Sequence, residues 1–123
     1  MPPAPILIVE DEPQLRLLLA ERLEQSGILS LQAADGVEAL EVLKDNPGVP
    51  LLLSDVRMPD MNGHQLVEQA LKLRPELKVL MMTAYVAEMP EGAALRAREI
   101  RTLTKPFDPD RLAGLVLDML ARP

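Results

Sequence analysis

The stretch LLLSDVRMPDMNG, residues 51–63, runs from an apolar segment through an aspartate into a turn. Its three opening leucines form a continuous apolar run, which is typical of a strand buried on both faces of a parallel sheet. The Met-Pro and Asn-Gly steps that follow Asp55 predict that the strand stops there and the chain turns. A buried strand gains no stability from ending on a charge. Asp55 therefore either caps the loop or takes part in chemistry.

The composition is typical of a soluble globular protein. The chain has 123 residues, of which 48% are hydrophobic and 26% charged, and we expect one domain over residues 1–123 with a flexible Pro-rich segment at 1–5. No apolar run approaches the ~20 residues of a membrane span, and the N-terminus lacks the pattern of a signal peptide. The absence of cysteine fits a reducing compartment, so we expect a cytoplasmic location.

The charge distribution limits the classes of partner. The formal net charge is −6, which disfavours nonspecific binding to nucleic acid. Residues 1–60 carry 11 acids against 4 bases, whereas residues 61–123 carry 8 acids against 9 bases. With one Phe, one Tyr and no Trp, base-stacking platforms are not expected either. We therefore predict no direct contact with nucleic acid.

Strand-like runs alternate with helical patterns along the whole chain, which predicts βα units and a parallel sheet. The five predicted strands cover residues 6–9, 29–33, 51–53, 79–82 and 100–104. The first, third and fourth are continuous apolar runs and are predicted to be central, while the second and fifth are predicted to be edges. Right-handed crossovers then favour the order 2-1-3-4-5, an α/β, flavodoxin-like (βα)5 doubly wound parallel sheet.

The helices are predicted from capping residues and apolar spacing. Gly27 is placed to end the first helix, and Asp35 begins a capping-box pattern for the second. The fourth helix, over residues 87–98, is the weakest because a proline and a glycine interrupt it. Asp108-Pro109 is predicted to begin the last helix.

Acidic residues follow two neighbouring central strands of this predicted sheet. Glu10, Asp11 and Glu12 come after the first strand, and Asp55 comes after the third. Ligands in such sheets bind at the carboxyl ends of the strands, beside the switch between these two. Converging carboxylates repel one another, and a hard divalent cation resolves that repulsion. Because Mg²⁺ prefers oxygen ligands, Asp11 and Asp55 are candidate ligands, with Glu10 reaching through water.

One of these carboxylates could instead be a nucleophile, as in aspartyl-phosphate chemistry. A transferred phosphoryl group needs its oxygens neutralised, which a lysine and a hydroxyl donor could do. Thr83 stands at the end of the fourth strand and Lys105 at the end of the fifth, where that chemistry requires them.

Taken together, these residues resemble the receiver domains of two-component response regulators. The resemblance extends over essentially the whole chain, and its motifs stand in the family's order and at family-like separations. They are Glu10-Asp11, Asp55 with Met58-Pro59 and Asn62-Gly63, Thr83-Ala84, and Lys105-Pro106-Phe107.

The resemblance implies a signalling switch in a His-Asp phosphorelay. Asp55 would accept a phosphoryl group from a histidine kinase, a phosphotransfer protein or a small phosphodonor. The Mg²⁺ ligands would be Glu10, Asp11, Asp55 and the backbone carbonyl of Arg57. Thr83 and Lys105 would contact the phosphoryl oxygens. Such a domain is not a conventional enzyme but a phosphoacceptor with autophosphorylation and autodephosphorylation chemistry of its own.

The resemblance also places the output on one face of the molecule. Phosphorylation would alter the surface made by the fourth helix, fifth strand and fifth helix, the α4-β5-α5 face. A downstream partner, an effector domain or a second copy in a homodimer would bind there. Thr102 stands where the family commonly carries an aromatic switch residue, and Arg96, Arg98 and Arg101 make this face basic, which favours an acidic partner surface.

Other functions remain open from the sequence. The same fold could serve as an interaction module that is never phosphorylated. An aspartyl-nucleophile phosphatase would want a second aspartate two residues after Asp55, where this chain has Arg57. A flavin-binding protein would want a phosphate-binding loop where the acids at 10–12 would repel phosphate. The chain could be a stand-alone receiver or part of a hybrid kinase or a DNA-binding regulator.

Overall fold

The computed structural model describes residues 4–57, 61–83, 100–104 and 108–121. Its strands are β1 (Ile6–Val9), β2 (Ser30–Ala33), β3 (Leu51–Asp55), β4 (Lys78–Thr83) and β5 (Ile100–Thr104). Its helices are α1 (Pro13–Gln25), α2 (Gly36–Asp45), α3 (Gly63–Leu73) and a C-terminal helix (Pro109–Ala121). The predicted fourth helix, residues 87–98, lies outside the described residues.

All the described strand pairs are parallel, and the sheet order is β2-β1-β3-β4-β5. The predicted order and the assignment of β2 and β5 to the edges are therefore confirmed. The structure extends β3 beyond its predicted end, because Asp55 still pairs in register with Met82 of β4. Asp55 is thus the last residue of a strand that is buried along its whole length.

Two hydrophobic clusters cover the two faces of the sheet, and β1 contributes to both. Ile6 and Ile8 belong to the cluster that packs under α1 and the C-terminal helix, while Leu7 and Val9 belong to the one under α2 and α3. All four side chains are fully buried. Burial of an aliphatic side chain of this size stabilises the fold by roughly 1.5–3 kcal/mol, which explains the continuous apolar run of a central strand.

Helix α1 ends in a Schellman motif at the glycine that the sequence identified. Gly27 has a φ of 81°, a left-handed conformation that glycine adopts without strain. Its N–H donates to the Glu24 carbonyl at 2.9 Å, and the Ile28 N–H donates to the Leu23 carbonyl at 2.9 Å. The turn brings the chain directly back toward β2.

Side-chain caps fix the starts of α2 and α3. The Asp35 carboxylate accepts from the Glu38 N–H at 2.8 Å, as its capping pattern predicted. Asn62 and Gln65 form a full capping box, with Asn62 Oδ1 accepting from the Gln65 N–H at 2.9 Å and Gln65 Oε1 from the Asn62 N–H at 3.0 Å. The sequence predicts a turn at Asn62-Gly63 with a helix after it, and the structure shows that the helix already begins at this step.

The C-terminal helix is held at both of its ends. At its start, Asp108 accepts from the Asp110 N–H at 2.9 Å, which agrees with the predicted Asp108-Pro109 cap. At its other end, Lys78 Nζ of β4 donates to the Met119 carbonyl. A cation in this position also interacts favourably with the negative end of the helix dipole.

Candidate functional site

The predicted acidic residues converge at the carboxyl edge of the sheet. Ligand oxygens of Glu10, Asp11 and Asp55 all lie within 4.8 Å of one another. Glu10 is 2% exposed and Asp55 is 9% exposed, while Asp11 lies at the surface. The cluster therefore has a buried floor and one carboxylate facing solvent, which leaves a route for an ion or a phosphodonor.

The proximity of these groups changes the acidity of Glu10. Burial is the largest cause and raises the pKa of Glu10 from 4.5 to about 7. A hydrogen bond with Asp11 and the negative charge of Asp55 act in the same direction, whereas the Glu12 N–H, which donates to Glu10 Oε2 at 3.1 Å, opposes them. The site thus accumulates more negative charge than the fold accommodates readily, and this favours binding of a cation.

Backbone hydrogen bonds hold Asp55 in a fixed orientation. Its Oδ1 accepts from the Arg57 N–H at 3.1 Å, and its carbonyl accepts from the Ser54 hydroxyl at 2.9 Å. The Val56 N–H donates to the Met82 carbonyl at 3.1 Å and so extends the pairing with β4 one residue past the strand. The Asp55 carboxylate is therefore presented by a rigid strand end and not by a loose loop.

Gly63 is required by the close approach of α3 to this strand end. A Cβ at Gly63 would lie 2.7 Å from the Asp55 carbonyl oxygen and 2.8 Å from the Val56 Cα, distances that real Cβ atoms do not adopt. The Gly63 N–H donates to the Val56 carbonyl at 2.7 Å. The Asn-Gly step of the sequence thus combines a helix cap with a glycine that allows α3 to lie close to the end of β3.

The remaining predicted site residues are described in part. Thr83 is the last residue of β4 and pairs with Thr104 of β5, so its backbone stands at the same edge of the sheet as Asp55. The side chain of Thr83 and all of Lys105 lie outside the described residues. Arg57 has an exposed side chain, and its N–H already contacts Asp55.

Arg16 is a contact of the site that the sequence did not reveal. From the first turns of α1 its Nη1 donates to the Glu10 carbonyl at 2.7 Å, and its Nε donates to Gln32 Oε1 at 3.3 Å. An arginine among leucines in an amphipathic helix is normally a solvent-facing residue. Its position five residues after Asp11, on the first turns of the helix that follows the acidic run, is the only signal that would have pointed to it.

A family comparison decides what this arrangement is. The family model described as the response regulator receiver domain matches residues 6–117. The chain belongs to the receiver-domain family. Receiver domains of two-component systems are phosphoacceptors and not conventional enzymes, and they bind Mg²⁺ at an acidic cluster.

Individual relatives agree with this assignment. The transcriptional regulatory protein GlrR of Escherichia coli (strain K12) is 37% identical over 118 residues, which are 96% of this chain but only 26% of GlrR. The response regulator receiver protein CpdR of Brucella abortus is 32% identical over 94% of this chain and 95% of CpdR. This receiver domain therefore spans about a quarter of one relative and nearly the whole of another.

A solved structure shows the same fold with a metal. The response regulator TrrA from Thermotoga maritima, in complex with Mg²⁺-BeF, is 28% identical, has a TM-score of 0.83 and matches 94% of this chain and 98% of its own. Oxygen-only ligands of high negative charge, as at Glu10, Asp11 and Asp55, are the donor set that a hard divalent cation takes. Within the described residues, no helix has the length and apolar character needed to cross a bilayer.

Proposed function

We propose that this receiver domain, residues 1–123, is a phosphorylatable switch in which Asp55 accepts a phosphoryl group from a histidine kinase or a phosphotransfer protein. The convergence of the Glu10, Asp11 and Asp55 carboxylates within 4.8 Å carries the proposal. An isolated strand-terminal aspartate could serve as a cap, but a cap needs one carboxylate and this edge assembles three. The chain's net charge of −6 supports a protein partner over nucleic acid.

The transfer uses the Asp55 carboxylate as nucleophile. One carboxylate oxygen forms a bond to phosphorus while the bond from phosphorus to the donor imidazole nitrogen breaks, and the imidazole leaves with that electron pair. The hydrogen bond from the Arg57 N–H to Asp55 Oδ1 orients the carboxylate before the donor arrives. Orientation of this kind converts part of the entropic cost of a bimolecular step into folding of the site.

Glu10, Asp11, Asp55 and the backbone carbonyl of Arg57 would hold Mg²⁺. When bound, Mg²⁺ neutralises the clustered carboxylates and the negative charge of the phosphoryl oxygens. The proposed roles of Thr83 and Lys105 are to donate hydrogen bonds to those oxygens from β4 and from the residue after β5. Thr83 ends β4 and Lys105 follows β5 in the sequence, and both strands end at the same edge of the sheet as β3, which supports these roles.

The first experiment measures intact mass after incubation with acetyl phosphate, with and without Mg²⁺. We expect the parent protein to gain one phosphoryl group only when Mg²⁺ is present, and Asp55→Asn to gain none. Asp45→Asn is the matched control, because Asp45 is an exposed aspartate at the end of α2 and its loss leaves the site intact.

Two outcomes would contradict the proposal. Phosphorylation of Asp55→Asn at the parent's level would place the acceptor elsewhere. No phosphorylation of the folded, Mg²⁺-binding parent by either acetyl phosphate or phosphorylated histidine kinases would leave a receiver fold used only for binding.

For the output we propose the surface that includes β5 and the C-terminal helix. Arg101 of β5 pairs with Asp118 of that helix at 3.2 Å, so the two elements are tied across this surface. Thr102 is half-buried in β5 and lies in register with Met81. A downstream partner, an effector domain or a second copy would bind here after phosphorylation. Sedimentation velocity and amide spectra of both states test this, and unchanged β5 signals together with an unchanged mass would contradict it.

A further inference from the structure

Both backbone polar groups of Glu10 are hydrogen-bonded at the point where β1 ends. The paired register of β1 and β2 stops at Val9 and Ala33, and the Glu10 N–H makes one further bond, to the Ala33 carbonyl at 3.1 Å. The Glu10 carbonyl belongs to a residue that is 2% exposed, and a buried carbonyl requires a hydrogen-bond donor.

Arg16 donates to this carbonyl. Its Nη1 lies 2.7 Å from the Glu10 carbonyl oxygen, while its Nε lies 3.3 Å from Gln32 Oε1 on the edge strand. The planar guanidinium thus joins α1, the end of β1 and β2 through one rigid group. The Arg16 N–H also donates to the Glu12 carbonyl at 2.9 Å, which closes the first turn of α1 directly after the acidic run.

We infer that Arg16 is a positioning residue for the cation site, one that fixes the direction of Glu10 and Asp11 through the Glu10 carbonyl and is itself held by Gln32. This inference rests on the proposed function. In this role Arg16 acts through the Glu10 carbonyl and not by binding the cation or the phosphoryl group itself. Outer contacts that orient metal ligands change metal affinity by about 10- to 100-fold when they are removed.

The charge of Arg16 makes the inference testable by the sign of its effect. A cation near the acidic cluster repels Mg²⁺, so if Arg16 acted by charge alone, its removal would tighten Mg²⁺ binding. If Arg16 positions the carboxylates, its removal weakens Mg²⁺ binding even though the site becomes more negative. The two roles therefore predict opposite shifts of one dissociation constant.

The experiment measures the Mg²⁺ dissociation constant by calorimetry at fixed pH and ionic strength for the parent, Arg16→Met and Arg22→Met. Arg22 is the matched control, because it is an exposed arginine in the last turn of the same helix. We expect Arg16→Met to raise the dissociation constant about tenfold and Arg22→Met to leave it within about twofold. A constant for Arg16→Met equal to or below that of the parent would overturn the inference.

A second variant guards against a change that acts only through folding. Gln32→Leu removes the outer anchor of Arg16 on an exposed residue, and we expect a rise of about threefold in the Mg²⁺ dissociation constant. Phosphorylation of Arg16→Met by acetyl phosphate is expected to reach the parent rate at saturating Mg²⁺, which a general loss of structure would not permit. A deficit that saturating Mg²⁺ leaves unchanged would also overturn the inference.

The parent protein separates this inference from the proposed function. If the parent neither binds Mg²⁺ nor accepts a phosphoryl group, the proposed function fails and the role of Arg16 fails with it. If the parent does both and Arg16→Met matches it in Mg²⁺ affinity, the proposed function stands and only the role of Arg16 is lost.

Discussion

At the carboxyl edge of the sheet three carboxylates lie within 4.8 Å of one another, whereas at the amino edge two cations each bind a backbone carbonyl. Arg74 Nη2 donates to the Val49 carbonyl at 2.9 Å, and Lys78 donates to the Met119 carbonyl. Charge at the amino edge satisfies backbone groups and stabilises the fold. At the carboxyl edge, negative charges lie close together and repel one another. This repulsion destabilises the fold, but it creates a site that attracts a cation.

Of the variants that test this difference between the two edges, Glu10→Gln is expected to have the largest effect on stability. Because the pKa of Glu10 is raised from 4.5 to about 7, the folded chain keeps a proton between these pH values that the unfolded chain has lost. The free energy of unfolding therefore falls as the pH rises through this window, by up to about 3 kcal/mol. Glu10→Gln is expected to remove this fall and to be the more stable protein above pH 7 without Mg²⁺. Urea unfolding across that pH range measures it.

The control for Glu10→Gln is Glu21→Gln, which alters an exposed glutamate of α1. Its stability is expected to follow the parent's pH dependence throughout. With Mg²⁺ added, the order of the parent and Glu10→Gln should reverse, because the metal binds the folded parent and stabilises it by mass action. A parent that is equally stable at all these pH values would show that the site carries no electrostatic cost.

A second test introduces a side chain at Gly63, where α3 approaches the end of β3 most closely. Gly63→Ala is expected to destabilise the protein by about 2–3 kcal/mol, because the new Cβ would meet the Asp55 carbonyl and the Val56 Cα. It should also lower the rate of phosphoryl uptake, since backbone at Asp55 must shift. Thermal unfolding and intact mass measure the two effects.

The third test removes a cation from the amino edge. Arg74→Met loses the hydrogen bond to the buried Val49 residue and is expected to cost about 2 kcal/mol, with Mg²⁺ affinity unchanged. Lys72→Met is the matched control. Lys72 is 73% exposed, and its ion pair with the exposed Glu68 is long, at 4.0 Å, so its loss costs little. This variant should stay within about 0.5 kcal/mol of the parent. Weaker Mg²⁺ binding by Arg74→Met would contradict the division of roles between the two edges.

The smallest expected effect comes from Gly114→Ala, which serves as a comparison for Gly63→Ala. A Cβ at Gly114, in the C-terminal helix, would meet nothing within 4 Å. Gly114→Ala is therefore expected to stabilise the protein by about 1 kcal/mol through helix propensity alone. A loss of stability in this variant, measured by urea unfolding, would mean that space around a glycine is a poor guide in this protein and would weaken the reading of Gly63→Ala as well.

Much of the fold could be predicted because its signals are local in the sequence. Apolar runs marked the central strands, Gly27 marked the end of α1 and Asp35 the start of α2, and the structure agrees in each case. The convergence of Glu10, Asp11 and Asp55 followed from strand order, since the carboxyl ends of neighbouring parallel strands meet at one edge.

The tethers of the site could not be predicted because they join residues distant in sequence or depend on exact packing. The bond from Arg16 to Gln32 spans sixteen positions, and apart from the place of Arg16 after the acidic run, the sequence around the two residues gives no sign of it. Burial of Glu10 to 2% exposure depends on tertiary packing around the strand end, which the local sequence does not encode. Asn62 and Gln65 form a capping box in the structure, whereas the Asn-Gly step in the sequence was interpreted as a turn.

The alternation of the β1 side chains between the two faces of the sheet also determines where the site residues lie. Its four side chains point by turns into the two clusters, so a shift of the strand by one residue would exchange the two faces of the core. The same shift would carry Glu10 away from Asp55 by one strand position. The packing of alternate β1 side chains into the two clusters therefore sets the alignment of the carboxylates. To transfer this site to another sheet, the in-and-out pattern of β1 must be transferred together with the acidic residues.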